Sequence, residues 1–114
     1  MTDSLEEVEM TVERGTGNVF ADLGMPDAAD RQTKTRLALA VTEIIKDRKL
    51  RQVEAAKVLG IPQSKVSALM NYRLDGFSVE RLMGFLTRLH RDVEIVIRPS
   101  RDDGEGRVSV HALL

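Results

Sequence analysis

The run Gln52-Val53-Glu54-Ala55-Ala56-Lys57-Val58-Leu59-Gly60-Ile61-Pro62-Gln63-Ser64-Lys65-Val66-Ser67-Ala68-Leu69 is the most informative part of the chain. Val53, Ala56 and Leu59 recur at helical steps, Gly60 interrupts them, and Pro62 opens a second periodic stretch with Val66 and Leu69 or Met70 on one side. The pattern predicts two short helices, 52–59 and 63–70, joined by a very short turn. Two helices that cross steeply need a small residue at their approach, and Ala56 is expected there. The turn needs a residue tolerant of positive φ, which Gly60 supplies. Pro62 fits the first turn of the second helix, where its missing N–H is not needed. With Ile61, Val66 and Leu69 wedged between the helices, Gln63, Ser64, Lys65, Ser67 and Ala68 are left on the outer side. A DNA major groove about 12 Å wide admits one helix, and short polar side chains near its N-terminus reach base edges.

Outward from this centre, Asp27 reads as an N-cap for a helix from about Ala28 to Arg48 or Lys49. Thr35, Leu37, Ala38, Val41, Ile44 and Ile45 make its apolar stripe. Downstream, Ser78 is placed to cap a helix carrying Val79, Leu82, Met83, Phe85, Leu86 and Leu89 and ending near His90. Beyond it, residues 93–98 are a β-branched run and 107–111 alternate, which predicts a C-terminal hairpin across a polar connection. Residues 6–14 alternate too, with Val8, Met10 and Val12 on one face of an expected strand. The expected fold is therefore mainly α, a compact domain of four or five helices with short flanking β-strands. Its divisions are an N-terminal arm (1–27), a helical domain (28–90) and a C-terminal dimerisation segment (91–114).

Composition bounds the function. The chain has 114 residues, enough for one core, with 42% hydrophobic and 31% charged residues. Phe20, Tyr72, Phe77 and Phe85 are the only aromatic residues, so the core is mainly aliphatic. With no cysteine, disulfides, thiolate metal sites and a cysteine nucleophile are excluded. No apolar run approaches the roughly 18 residues that span a bilayer, and the acidic N-terminus is unlike a secretory signal, so no membrane partner and a cytoplasmic location are expected. The net charge of −1 conceals an asymmetry. Residues 1–30 hold Asp3, Glu6, Glu7, Glu9, Glu13, Asp22, Asp27 and Asp30 against Arg14 alone, whereas 46–73 hold Lys46, Arg48, Lys49, Arg51, Lys57, Lys65 and Arg73 against Asp47 and Glu54. A basic block of that kind suits a polyanion.

The chemistry of an enzyme is not suggested. His90 and His111 have no carboxylate at the spacing that would build a metal face with both, and Asp102, Asp103 and Glu105 are half a calcium loop without its remaining ligands. Gly15-Thr16-Gly17 is too short for a phosphate cradle. No catalytic residue, metal ligand or cofactor is expected.

Gln52, Ala56, Gly60, Val66 and Ser67, in that register, resemble the phage repressor and Cro-like helix-turn-helix family, the XRE-type regulators, over about residues 35–90. The resemblance implies that Gln52 contacts phosphate, that Gln63, Ser64, Lys65, Ser67 and Ala68 face the bases, and that Asn71 and Arg73 hold the DNA backbone. The chain departs from that pattern at Pro62, where a hydroxylated or acidic cap is usual, and at Met70-Asn71-Tyr72, where Glu-Asn-Gly is common. Residues 19–24 and 76–82 also resemble the HigA-type antitoxins, which implies autoregulation and a RelE-like toxin as protein partner. A sequence-specific repressor is expected, and a toxin-binding antitoxin is the alternative. Because one module reads few base pairs, a homodimer on palindromic DNA is expected, joined where residues 93–98 meet their symmetry mate with the N-terminal strand alongside.

Overall fold

The computed structural model describes residues 27–101 and 104–114. Among them are four helices: α1 (Asp27–Asp47), α2 (Gln52–Leu59), α3 (Gln63–Met70) and α4 (Val79–Arg88). The N-terminal strand expected at 6–14 and the 19–24 stretch lie outside the described residues, as do Asp102 and Asp103. Helix α1 packs chiefly on α4, α2 packs on α3, and α1 also touches α3.

Helix α1 forms around Leu37, Ala38, Val41, Ile44 and Ile45, which repeat at steps of three and four and are all buried. Thr35 does not belong to that stripe: it is exposed, and Thr33 is buried in its place. A threonine can occupy such a face because its hydroxyl bonds backward to the preceding turn, as Thr33 does to the Ala29 carbonyl at 2.9 Å. Helix α4 buries Val79, Leu82, Phe85 and Leu86 on one side, and Leu89 just beyond its end. The Ser78 hydroxyl accepts a hydrogen bond from the Arg81 N–H at 3.0 Å, the expected cap.

All four helices end in the same way. The residues after each last turn, Lys49, Gly60, Tyr72 and His90, have φ of 56°, 73°, 56° and 65°. In each case the next N–H reaches back five residues: Leu50 to Ile45, Ile61 to Ala56, Arg73 to Ala68 and Arg91 to Leu86, at 2.9–3.1 Å. This closure satisfies carbonyls the helix leaves open, and it demands a left-handed residue. Only one of the four positions has glycine. The α1 and α4 ends are also joined directly, because the Arg48 guanidinium donates to the Leu89 carbonyl at 2.7 Å.

Three further expectations are corrected. Ala55, fully buried, is the small residue of the α2 interior, whereas Ala56 is half-buried and Val53 exposed. Leu59 is buried as expected, so the inner face of α2 is Ala55 and Leu59, with Gln52 and Ala56 at its margin. Pro62 is the N-cap of α3 at φ −65° and ψ 153°, not a residue of its first turn. Among the described residues there is no strand: residues 93–98 and 107–111 are irregular. A lone two-stranded ribbon has too little buried surface to offset its ordering, so alternation alone does not yield a hairpin.

Candidate nucleic-acid interface

Helix α3 is held by two completely buried side chains, Val66 and Leu69. Ile61, also buried, fills the turn before it. That anchoring turns Gln63, Ser64 and Lys65 outward on the first turn, where all three are exposed. Their helix end is open as well. Pro62 has no side chain that could cap it, and the first bonded amides are those of Lys65 and Val66, both to the Pro62 carbonyl. A helix N-terminus with free N–H groups and no acidic residue in its first turn favours an anion in front of it.

The structure distributes the remaining expected contact residues unevenly. Ser67 and Ala68 are half-buried, and Ala68 packs against the core, so they border the exposed turn and do not extend it. Gln52 is the first residue of α2 and half-buried. The Asn71 amide donates to the Ser67 carbonyl at 2.9 Å, which leaves one of its two amide hydrogens for another acceptor. Arg73 is exposed.

Lys65 is exposed, but its ammonium lies 5.5 Å from the centroid of the Phe77 ring. Phe77 in turn meets Phe85 edge-on, with centroids 5.9 Å apart and planes at 77°. The Arg81 guanidinium lies 5.7 Å from the Phe85 centroid. Two cations thus flank a pair of buried rings, and one of them is the lysine expected to face bases. The Lys65 Nζ also passes close to Gly76, 3.1 Å from where a Cβ would stand.

Sequence reasoning missed a second restraint. Thr42, buried on α1, bonds the Leu39 carbonyl at 3.0 Å and the Tyr72 hydroxyl at 3.0 Å, so the C-terminus of α3 is tied to α1. A threonine inside an otherwise aliphatic stretch was the available signal. At the start of α2, the Glu54 carboxylate accepts from the Arg51 N–H at 2.8 Å and pairs with its guanidinium at 3.3 Å. The backbone hydrogen bond from Arg51, and next its side chain, hold the Glu54 carboxyl below its ordinary range. The basic block is therefore partly committed to structure: Arg51 to Glu54, Arg48 to Leu89 and Lys65 to Phe77.

Among the described residues no group of three or more His, Asp or Glu could hold a metal ion, and no helix is long and apolar enough to cross a membrane. The family described as "Helix-turn-helix domain" matches residues 19–98. A solved structure named provisionally as an XRE family transcriptional regulator is 56% identical in sequence, with a TM-score of 0.74, and the match covers 77% of this chain and 100% of that chain. No curated protein matches.

Proposed function

We propose that this chain, which belongs to the helix-turn-helix domain family and to its XRE-type DNA-binding regulators, is a sequence-specific repressor that binds a palindromic operator as a homodimer. The exposed, uncapped first turn of α3, set on a fully buried Val66–Leu69 anchor, is the observation that carries this reading. In it, Gln63, Ser64 and Lys65 read base edges from the major groove, with Ser67 and Ala68 at the margin of the contact. Gln52, at the positive end of α2, and Asn71 and Arg73 hold phosphates. Dimerisation sets two α3 helices about 34–36 Å apart on successive turns of one DNA face.

The test is binding of the purified full chain to DNA from its own upstream region, by fluorescence anisotropy over a salt series. The expected result is an affinity that falls linearly in log–log form with salt and exceeds that for scrambled DNA by about 10³ or more. Equal affinity for both DNAs at fixed salt would refute sequence-specific repression. The acidic residues of the first 30 positions support a second, compatible role as an antitoxin, since an acidic arm suits a basic RelE-like toxin. Co-expression with the product of the adjacent gene, followed by size-exclusion chromatography, tests that role.

A further inference from the structure

Residues 93–98 read Val-Glu-Ile-Val-Ile-Arg and leave the body of the protein after α4. Ile95, Val96 and Ile97 are 60%, 69% and 71% exposed. Among the described residues, no hydrogen bond joins 93–98 to the rest of the chain. Farther on the chain returns, since Val110 packs against the core and lines a shallow cleft with Ala112, Leu39 and Ala40 of α1. A β-branched hexapeptide with most of its apolar surface in water is thus held between two anchored points. Such a segment is a template for strand pairing.

We propose that its partner is the same segment of a second copy, paired antiparallel across a two-fold axis at Val96. This rests on the dimeric reading above and specifies the contact. In an antiparallel pair centred on Val96, opposing residue numbers have a constant sum. Glu94 therefore faces Arg98 of the second copy, Ile95 faces Ile97, and Val96 faces Val96. Because side chains alternate, one face carries two Glu–Arg pairs around a valine pair, and the other carries Val93, Ile95 and Ile97 from both copies. A parallel pairing in register sets Glu94 on Glu94 and Arg98 on Arg98. A shift of the antiparallel register by one or two positions sets Glu94 against Ile97 or Val96 in one direction and against Pro99 or Ser100 in the other, with no charge opposite it. Pro99 has no N–H and ends the ladder. The hexapeptide is complementary to itself in one arrangement, and that selects a second copy over an unrelated strand.

The chain has no cysteine, so a single thiol reports the register. Opposed Cα atoms in an antiparallel pair are about 4.5–5.5 Å apart, within disulfide reach. Full-length Val96→Cys is expected to form a covalent dimer on mild oxidation. Ile95→Cys and Ile97→Cys are each expected to stay uncoupled alone and to couple when mixed. Failure of Val96→Cys to couple, or Ile95→Cys coupling alone as readily, overturns the proposal. Charge reversal gives an independent readout at exposed positions. Glu94→Arg should weaken dimerisation in sedimentation equilibrium by about tenfold, and adding Arg98→Glu should restore it. A double variant no better than the single one overturns the pairing. Dimeric DNA binding without Val96 coupling refutes this contact alone, whereas Val96 coupling in a chain that ignores its upstream DNA upholds the contact and refutes repression.

Discussion

The hydroxyls of Thr42 and Tyr72, thirty residues apart, meet at 3.0 Å and tie the long helix α1 to the C-terminus of α3. The Thr42 hydrogen is directed to the Leu39 carbonyl, so Thr42 is the acceptor and Tyr72 the donor. Since Tyr72 is also the left-handed residue that closes α3, its backbone ends the helix and its side chain ties that end to α1. Tyr72→Phe is expected to lower stability by about 1 kcal/mol, and Thr42→Val by a similar amount. The double variant should lose less than the sum, because both singles remove the same bond. Chemical denaturation of all four proteins measures this, and strictly additive losses would show that the contact contributes nothing.

Helix termination makes a prediction of opposite signs at chemically similar positions. At Gly60, φ of 73° costs an L-residue about 1–2 kcal/mol, and the nearest atom to a new Cβ is the movable end of Arg88 at 3.3 Å. Gly60→Ala should therefore destabilise by about that conformational cost alone. His90, at φ 65° and exposed, bears the cost already, so His90→Gly should stabilise by about 0.5–1 kcal/mol. Thermal melts of the two variants should move in opposite directions.

Ala55 and Ala56 are neighbours with different surroundings. Ala55 is 0% exposed, so Ala55→Leu should overpack the domain by about 1–3 kcal/mol or more. Ala56→Leu, from a half-buried position, should cost clearly less. Equal melting temperatures for the two variants would contradict the observed difference in burial between Ala55 and Ala56.

On DNA, Gln63→Ala and Lys65→Ala should each weaken operator binding by about 1–3 kcal/mol if the residue makes a good base contact. Neither side chain is buried, so the melting temperature should change little for Gln63→Ala. Lys65→Ala also removes the contact over Phe77, and a small loss of stability should accompany its effect on binding. Operator affinity that is unchanged in both variants at fixed salt would exclude the first turn of α3 as the reading surface.

The Arg51–Glu54 pair predicts a pH dependence. The folded-state pKa of Glu54 lies below its ordinary value of 4.5, so its contribution is complete above that pH and is lost as pH falls through the lowered value. Glu54→Gln should reduce the melting temperature near neutrality and leave it close to that of the parent chain in strong acid. A constant difference across the acid range would assign the effect to something other than the carboxylate.

Local periodicity determined most of this protein. The bounds of α2 and α3, the positive φ of Gly60, the Ser78 cap and the burial of Val66, Leu69, Val79, Leu82, Phe85, Leu86 and Leu89 all follow from spacing, because helical repetition and turn stereochemistry act over a few residues; Met83, expected in the same stripe, is half-buried. The outward setting of Gln63, Ser64 and Lys65 follows from the same pattern once the other face is buried. What tertiary packing alone decided is longer in range. Ala55 lies deeper than Ala56 because the neighbours of α2 set which side of the Leu59 stripe is covered, a choice its short, weakly patterned sequence does not specify. Lys65 lies over Phe77, and Thr42 meets Tyr72, because helices distant in sequence bring those groups together. Residues 93–98 have the composition of a strand without its structure in the single chain, since a strand exists only where another backbone meets its amides and carbonyls.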